Sequence, residues 1–167
     1  KTLGRGFIGS WDIADLHAEA INSLPGTKLS GLWNRTFEKG EAKAEKFGCK
    51  TFSTVQNLLQ DEDIGAVFIL TNVETHCEYT LLAAAAGKHI LVEKPAGSNL
   101  EELERMKRAV NKANVKCMPV HNYIYEAGIK RAKTMIQSGK LGDITQFYMM
   151  YNIHHADDIR ARYPGVI

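Results

Sequence analysis

At 167 residues the chain can bury one substantial core and begin a second. Its 44% hydrophobic and 24% charged residues are the balance of an ordinary folded protein, which excludes disordered and fibrous classes. The net charge of +2 is too small, and too scattered, to make a surface for nucleic acid or an anionic membrane.

Lys1-Thr2-Leu3 reads as the last step of a strand, followed at once by Gly4-Arg5-Gly6-Phe7-Ile8-Gly9. From about Ile8 to Ser23, Ile13, Leu16, Ala20, Ile21 and Leu24 recur at helical spacing, and Pro25-Gly26 stops the helix. A short apolar strand, 28–33, ends at Asn34-Arg35-Thr36; a polar helix, 37–47, follows, with Gly48 as a left-handed terminator. The spacing next predicts a strand over 49–52 and a helix over 54–60. The run 66–70 is continuously apolar, as expected of a parallel strand covered on both faces. A helix over 74–86 is closed by Gly87, and 89–92 is another buried strand, leading into Glu93-Lys94-Pro95. Ser98 and Glu101 stand at capping-box spacing before a helix over 100–113, and 115–120 reads as a sixth strand. After His121 come an amphipathic helix over 126–137 and a strand-like run over 143–153.

This alternation predicts an α/β fold, a Rossmann-type doubly wound parallel sheet over residues 1–121, with the beginning of a C-terminal α/β domain over 122–167. With no initiator Met at Lys1, the chain reads as cut short at both ends, its first strand truncated. Cys49, Cys77 and Cys117 form no Cys-x-x-Cys pair and read as free thiols of a reducing compartment. No apolar run approaches the roughly 20 residues of a membrane span. Cytoplasm is the default location.

Gly4, Gly6 and Gly9 match G-x-G-x-x-G, in which the first glycine permits a tight turn and the second lets a pyrophosphate reach the backbone. The third lets helix and strand pack closely. The pattern is short, and a glycine-rich turn without a ligand is its plainer reading. Its place between a strand and a helix favours a dinucleotide held by Gly4, Arg5, Gly6, Phe7, Ile8 and Gly9. An acidic residue at the end of the second strand would bind a ribose 2′-OH; this sequence has Asn34, Arg35 and Thr36 there. Arg35 suits a 2′-phosphate, with Asn34 and Thr36 as further donors, which favours NADP over NAD. The alternative is an Arg35 that stacks on the adenine.

The segment Gly87-Lys88-His89-Ile90-Leu91-Val92-Glu93-Lys94-Pro95, together with the glycine loop, Thr71-Asn72, His76 and His121-Asn122, resembles the Gfo/Idh/MocA family of oxidoreductases. The resemblance implies a two-domain NAD(P)-dependent enzyme moving hydride between nicotinamide and a sugar- or polyol-like alcohol or carbonyl, the full-length parent being a homo-oligomer. It makes Lys94 the catalytic residue, hydrogen-bonding the reacting oxygen and relaying its proton. Pro95 fixes the backbone so that Lys94 points into the cleft. Thr71, Asn72, His76, Glu93, Lys94 and Asn122 are placed at the cofactor, with a satisfied structural histidine as the close alternative for His76. The family's acid–base histidine has no match before Ile167. The alternative is a regulatory protein that senses dinucleotide on the same scaffold. His154-His155 with Asp157-Asp158 lacks metal-ligand spacing and reads as a polar strand end, so no metal is expected.

Overall fold

Six strands form one parallel sheet: β1 (Leu3–Ile8), β2 (Thr27–Trp33), β3 (Lys50–Phe52), β4 (Ile64–Ile69), β5 (His89–Val92) and β6 (Cys117–Pro119). Their order is β3-β2-β1-β4-β5-β6. Every neighbouring pair is parallel. This is a Rossmann-type sheet, whose strand order reverses between β1 and β4. The structure, a computed structural model, describes residues 3–150 and 152. The chain divides into two compact units, Lys1–His121 and Asn122–Ile167.

In the first unit the helices are α1 (Ile13–Ser23), α2 (Phe37–Phe47), α3 (Val55–Gln60), α4 (His76–Ala85) and α5 (Leu100–Ala113). They cover two faces, and β1 shows why both are apolar. Its adjacent residues Phe7 and Ile8 are each wholly buried, and they belong to different core clusters. Successive side chains on a strand point to opposite faces, so one central strand feeds both cores. Phe7 packs with Ala14, Ala18, Ile21 and Leu32, whereas Ile8 packs with Leu58, Val67, Ala83 and Met106.

The first strand and first helix correct the sequence reading. The strand extends through Gly4 and Gly6 to Ile8, and the helix starts at Ile13 rather than Ile8. Its buried face is Ala14, Ala18 and Ile21, while Leu16 and Leu24 are exposed. Small residues let α1 lie close on the sheet, and that proximity outweighs the larger side chains at the competing helical phase.

The cap of α5 is also displaced by one residue from the expected Ser98–Glu101 pair. Asn99 Oδ1 accepts from the Glu102 backbone N–H at 2.9 Å, while Glu102 Oε2 accepts from that of Ser98 at 2.8 Å. The Asn99 oxygen thus satisfies an otherwise orphaned N–H of the first turn. Asn99→Ala is expected to lower stability by about 1 kcal/mol, read as a fall in the urea midpoint at unchanged slope.

The second unit contains a 3-10 turn, Asn122–Tyr125, and α6 (Ala127–Gln137), ended by Ser138 and a left-handed Gly139. Residues 143–150 form no strand, contrary to the expectation from their apolar run. An extended run becomes a strand only when a neighbour takes up its N–H and C=O groups, and among the described residues these have none.

Candidate functional site

A cavity of about 830 Å³ opens where β1, β2 and β4 end. It lies at the carboxyl edge of the sheet beside the reversal of strand order, where neighbouring loops diverge and leave a crevice. Gly9 and Ser10 follow β1, Asn34 to Thr36 follow β2, and Leu70 to Asn72 follow β4; all line the cavity, as do Lys39 and Lys43 of α2.

The turn that starts this site is Gly9-Ser10-Trp11-Asp12, not the Gly4-to-Gly9 stretch. Gly9 has φ +91°, and a Cβ there would stand 2.8 Å from Thr71 Cγ2 and 2.9 Å from Leu70 O. Only glycine tolerates that conformation in that space. Its N–H donates to Trp33 O at 2.8 Å, tying the turn to β2. Gly4 and Gly6 are inside β1, where a Cβ on Gly4 would strike Asp63 O and one on Gly6 would press on Leu58 and Ile64. Their lack of side chains serves strand packing. Arg5 donates to Leu3 O, and Phe7 and Ile8 are core residues. None of Gly4 to Ile8 lines the cavity. The G-x-G-x-x-G match at Gly4, Gly6 and Gly9 thus begins five residues before the turn, which starts at Gly9.

At the end of β2, Asn34 Nδ2 donates to Thr36 O at 2.8 Å and closes the turn that presents Arg35. No acidic side chain stands there to pair with a ribose hydroxyl. Lys43 and Lys46 both bind Asp15 of α1, at 2.6 and 2.7 Å, and these lysines hold its carboxyl below the usual range. Among the described residues Arg35 and Lys39 have no ion-pair partner. Tyr79 forms part of the wall, edge-on to Trp33 at 5.6 Å. Lys39 and Tyr79 carry no signal along the chain: each joins the site from a helix that approaches β2 or β4 only after folding.

The Glu93-Lys94-Pro95 segment follows β5. Lys94 is exposed, and its bond to Pro95 is cis. Glu93 points inward: Oε1 is 2.9 Å from His17 Nε2, and Oε2 accepts the Lys94 backbone N–H at 3.1 Å. Burial raises the Glu93 pKa, but the hydrogen bonds from His17 and Lys94 outweigh it, so the carboxyl sits below its ordinary range. His17 is packed edge-on against Phe68 at 5.4 Å. On the other flank, His76 Nδ1 lies 2.9 Å from Pro95 O and Nε2 2.9 Å from Thr71 O. His76 is 1% exposed. Glu93 and His76, expected at the cofactor, have their polar atoms engaged with protein on both sides of Lys94. Sequence reasoning misses His17, because nothing local links it to a residue 76 positions away.

Thr71 and Asn72, read above as cofactor residues, line the cavity; Lys94 does not. Asn122 belongs to the second unit. The His154, His155, Asp157 and Asp158 group lies outside the described residues. Among the described residues no cluster of His, Cys, Asp or Glu is arranged to hold a metal, and no helix is long and apolar enough to cross a membrane.

Residues 3–121 match the profile of GFO_IDH_MocA, an oxidoreductase family with an NAD-binding Rossmann fold. Among curated proteins, the chain is 28% identical to a dTDP-3,4-didehydro-2,6-dideoxy-alpha-D-glucose 3-reductase of Streptomyces violaceoruber, covering 97% of the chain and 48% of that protein. Among solved structures, scyllo-inositol dehydrogenase from Lactobacillus casei, with bound NAD(H) and scyllo-inositol, superimposes with a TM-score of 0.80 at 27% identity, over 87% of the chain and 44% of its own. A mutant 3-ketoreductase from Actinomadura kijaniata, in complex with TDP-benzene and NADP, gives 0.77 at 25% identity, over 86% and 45%. The chain thus spans less than half the length of each of these relatives.

Proposed function

The chain belongs to the GFO_IDH_MocA oxidoreductase family, and from that premise we propose that its cavity holds NADP(H) in preference to NAD(H). In the whole protein it would serve hydride transfer to or from a sugar- or polyol-like substrate. The observation that carries the cofactor preference is the β2 terminus, where Arg35 and Lys39 line the cavity and the residues that follow the strand, Asn34, Arg35 and Thr36, include no carboxylate. A guanidinium forms charge-assisted bonds to a phosphate, whereas a 2′-OH gives it only a neutral acceptor. Gly9, the N-terminal end of α1 and the buried Ala14 provide the tight turn and close helix packing that a dinucleotide requires.

A bound nicotinamide supplies or accepts the hydride. Lys94 handles the accompanying proton: its Nζ donates to the carbonyl oxygen during reduction, or receives the hydroxyl proton during oxidation. The positive charge also stabilises negative charge building on that oxygen. His17, Glu93 and His76 fix the backbone on either side of Lys94, which limits where that amine can stand.

Arg35→Ala is expected to weaken NADPH about tenfold or more, the loss of one charge-assisted contact. NADH affinity should change by no more than about twofold, since NADH has no 2′-phosphate. Nicotinamide fluorescence titrations of Arg35→Ala and of the unmutated chain check this. Equal binding of NADPH and NADH by the unmutated chain would remove the NADP preference.

A further inference from the structure

The loop from Gly9 to Ala14 follows the dinucleotide fingerprint at its first and third positions and departs from it at the second. Gly9 makes the tight turn with positive φ, and Ala14, wholly buried, packs α1 on the sheet. Between them, where a second glycine lets the diphosphate touch the backbone, stands Trp11. A glycine there removes every atom beyond Cα, so a phosphate oxygen can reach the N–H groups of the loop and the first helical turn. An indole side chain carried at that position takes up room that a glycine leaves to the phosphate.

Trp11 is 50% exposed and forms part of the wall of the same cavity as Arg35 and Thr71. Its carbonyl accepts the Ala14 N–H at 2.8 Å, so the backbone is held in the turn that starts α1. The loop therefore keeps its shape, and the residue's effect comes from the side chain. We infer that Trp11 obstructs the diphosphate subsite, so that the cavity accepts the adenosine 2′-phosphate end of the cofactor more readily than the whole dinucleotide. This rests on reading the cavity as an NADP(H) site. Trp11 is then the residue that sets how tightly this chain holds its cofactor.

The test compares the unmutated chain with Trp11→Gly and Trp11→Ala by isothermal calorimetry, using NADPH and, separately, adenosine 2′-monophosphate. Trp11 is outside both core clusters, and circular dichroism identifies the folded variants. Removing the indole is expected to tighten NADPH roughly tenfold or more in the glycine variant and less in the alanine variant, which keeps a Cβ. Adenosine 2′-monophosphate has no diphosphate and should bind all three within about twofold. Unchanged or weaker NADPH binding in both variants, with adenosine 2′-monophosphate bound as before, overturns the inference; weaker binding would make the indole a contact for the cofactor. Failure of folded protein to bind adenosine 2′-monophosphate at all, with Arg35→Ala also silent, defeats the cavity assignment and this inference with it.

Discussion

Lys94→Ala in the whole protein is expected to slow hydride transfer by about 10²–10⁴-fold, the usual worth of a positioned proton donor. Cofactor affinity should remain within about twofold, because Lys94 lies outside the cavity wall formed by the Gly9 turn and Arg35. A single-turnover experiment separates the two, since binding and hydride transfer appear as different phases of nicotinamide absorbance. Substrate deuterated at the transferring carbon should show a larger isotope effect in the variant, as chemistry becomes fully rate-limiting. Turnover equal to that of the unmutated enzyme would exclude Lys94 from the reaction. An equally slow enzyme that also binds cofactor poorly would instead point to collapse of the segment after β5.

His17→Leu should cost about 1–3 kcal/mol of stability, because it leaves the part-buried Glu93 carboxylate with only the Lys94 backbone N–H. Leucine fills much of the space against Phe7 and Phe68, so the loss reports on the carboxylate more than on packing. The pH dependence provides an independent check. In the unmutated chain the folded Glu93 pKa is depressed, so its contribution is present above the unfolded value of about 4.3 and is lost as pH falls through the folded value. Without His17 the burial contribution gains weight. The depression of the folded pKa is then smaller, so less stability is lost as pH falls through it. Chemical unfolding from pH 3 to 7 is expected to show a smaller acid-side fall in stability for His17→Leu than for the unmutated chain. Adding Glu93→Gln should recover part of the loss by removing the stranded charge. Parallel slopes would mean that the His17 contact does not govern the Glu93 charge.

Much of the sheet is legible along the chain because a parallel strand covered on both faces must be apolar throughout. The β5 strand and the α5 helix have the bounds that their hydrophobic pattern predicts. The same logic falters at β1, whose sequence Leu-Gly-Arg-Gly-Phe-Ile is poor in large apolar residues. Its glycines answer to Asp63, Leu58 and Ile64, residues more than fifty positions away, and so imitate a phosphate-binding turn when read locally. A register set by those glycines puts Trp11 inside the helix and hides its position in the fingerprint.

The sequence by itself determined the alternating α/β architecture, the absence of an acidic residue after β2 and the family resemblance centred on Glu93-Lys94-Pro95. These are properties of composition and of spacing within about a dozen residues, where backbone periodicity and side-chain chemistry act directly. The tertiary structure alone decided that Gly9 begins the turn, that Glu93 and His76 engage protein on both sides of Lys94, and that Lys39 and Tyr79 complete the cavity wall. Each of those depends on which side chains the sheet brings within about 3–4 Å of one another. That proximity is fixed by strand order and helix packing across the sheet, which no local stretch of chain encodes.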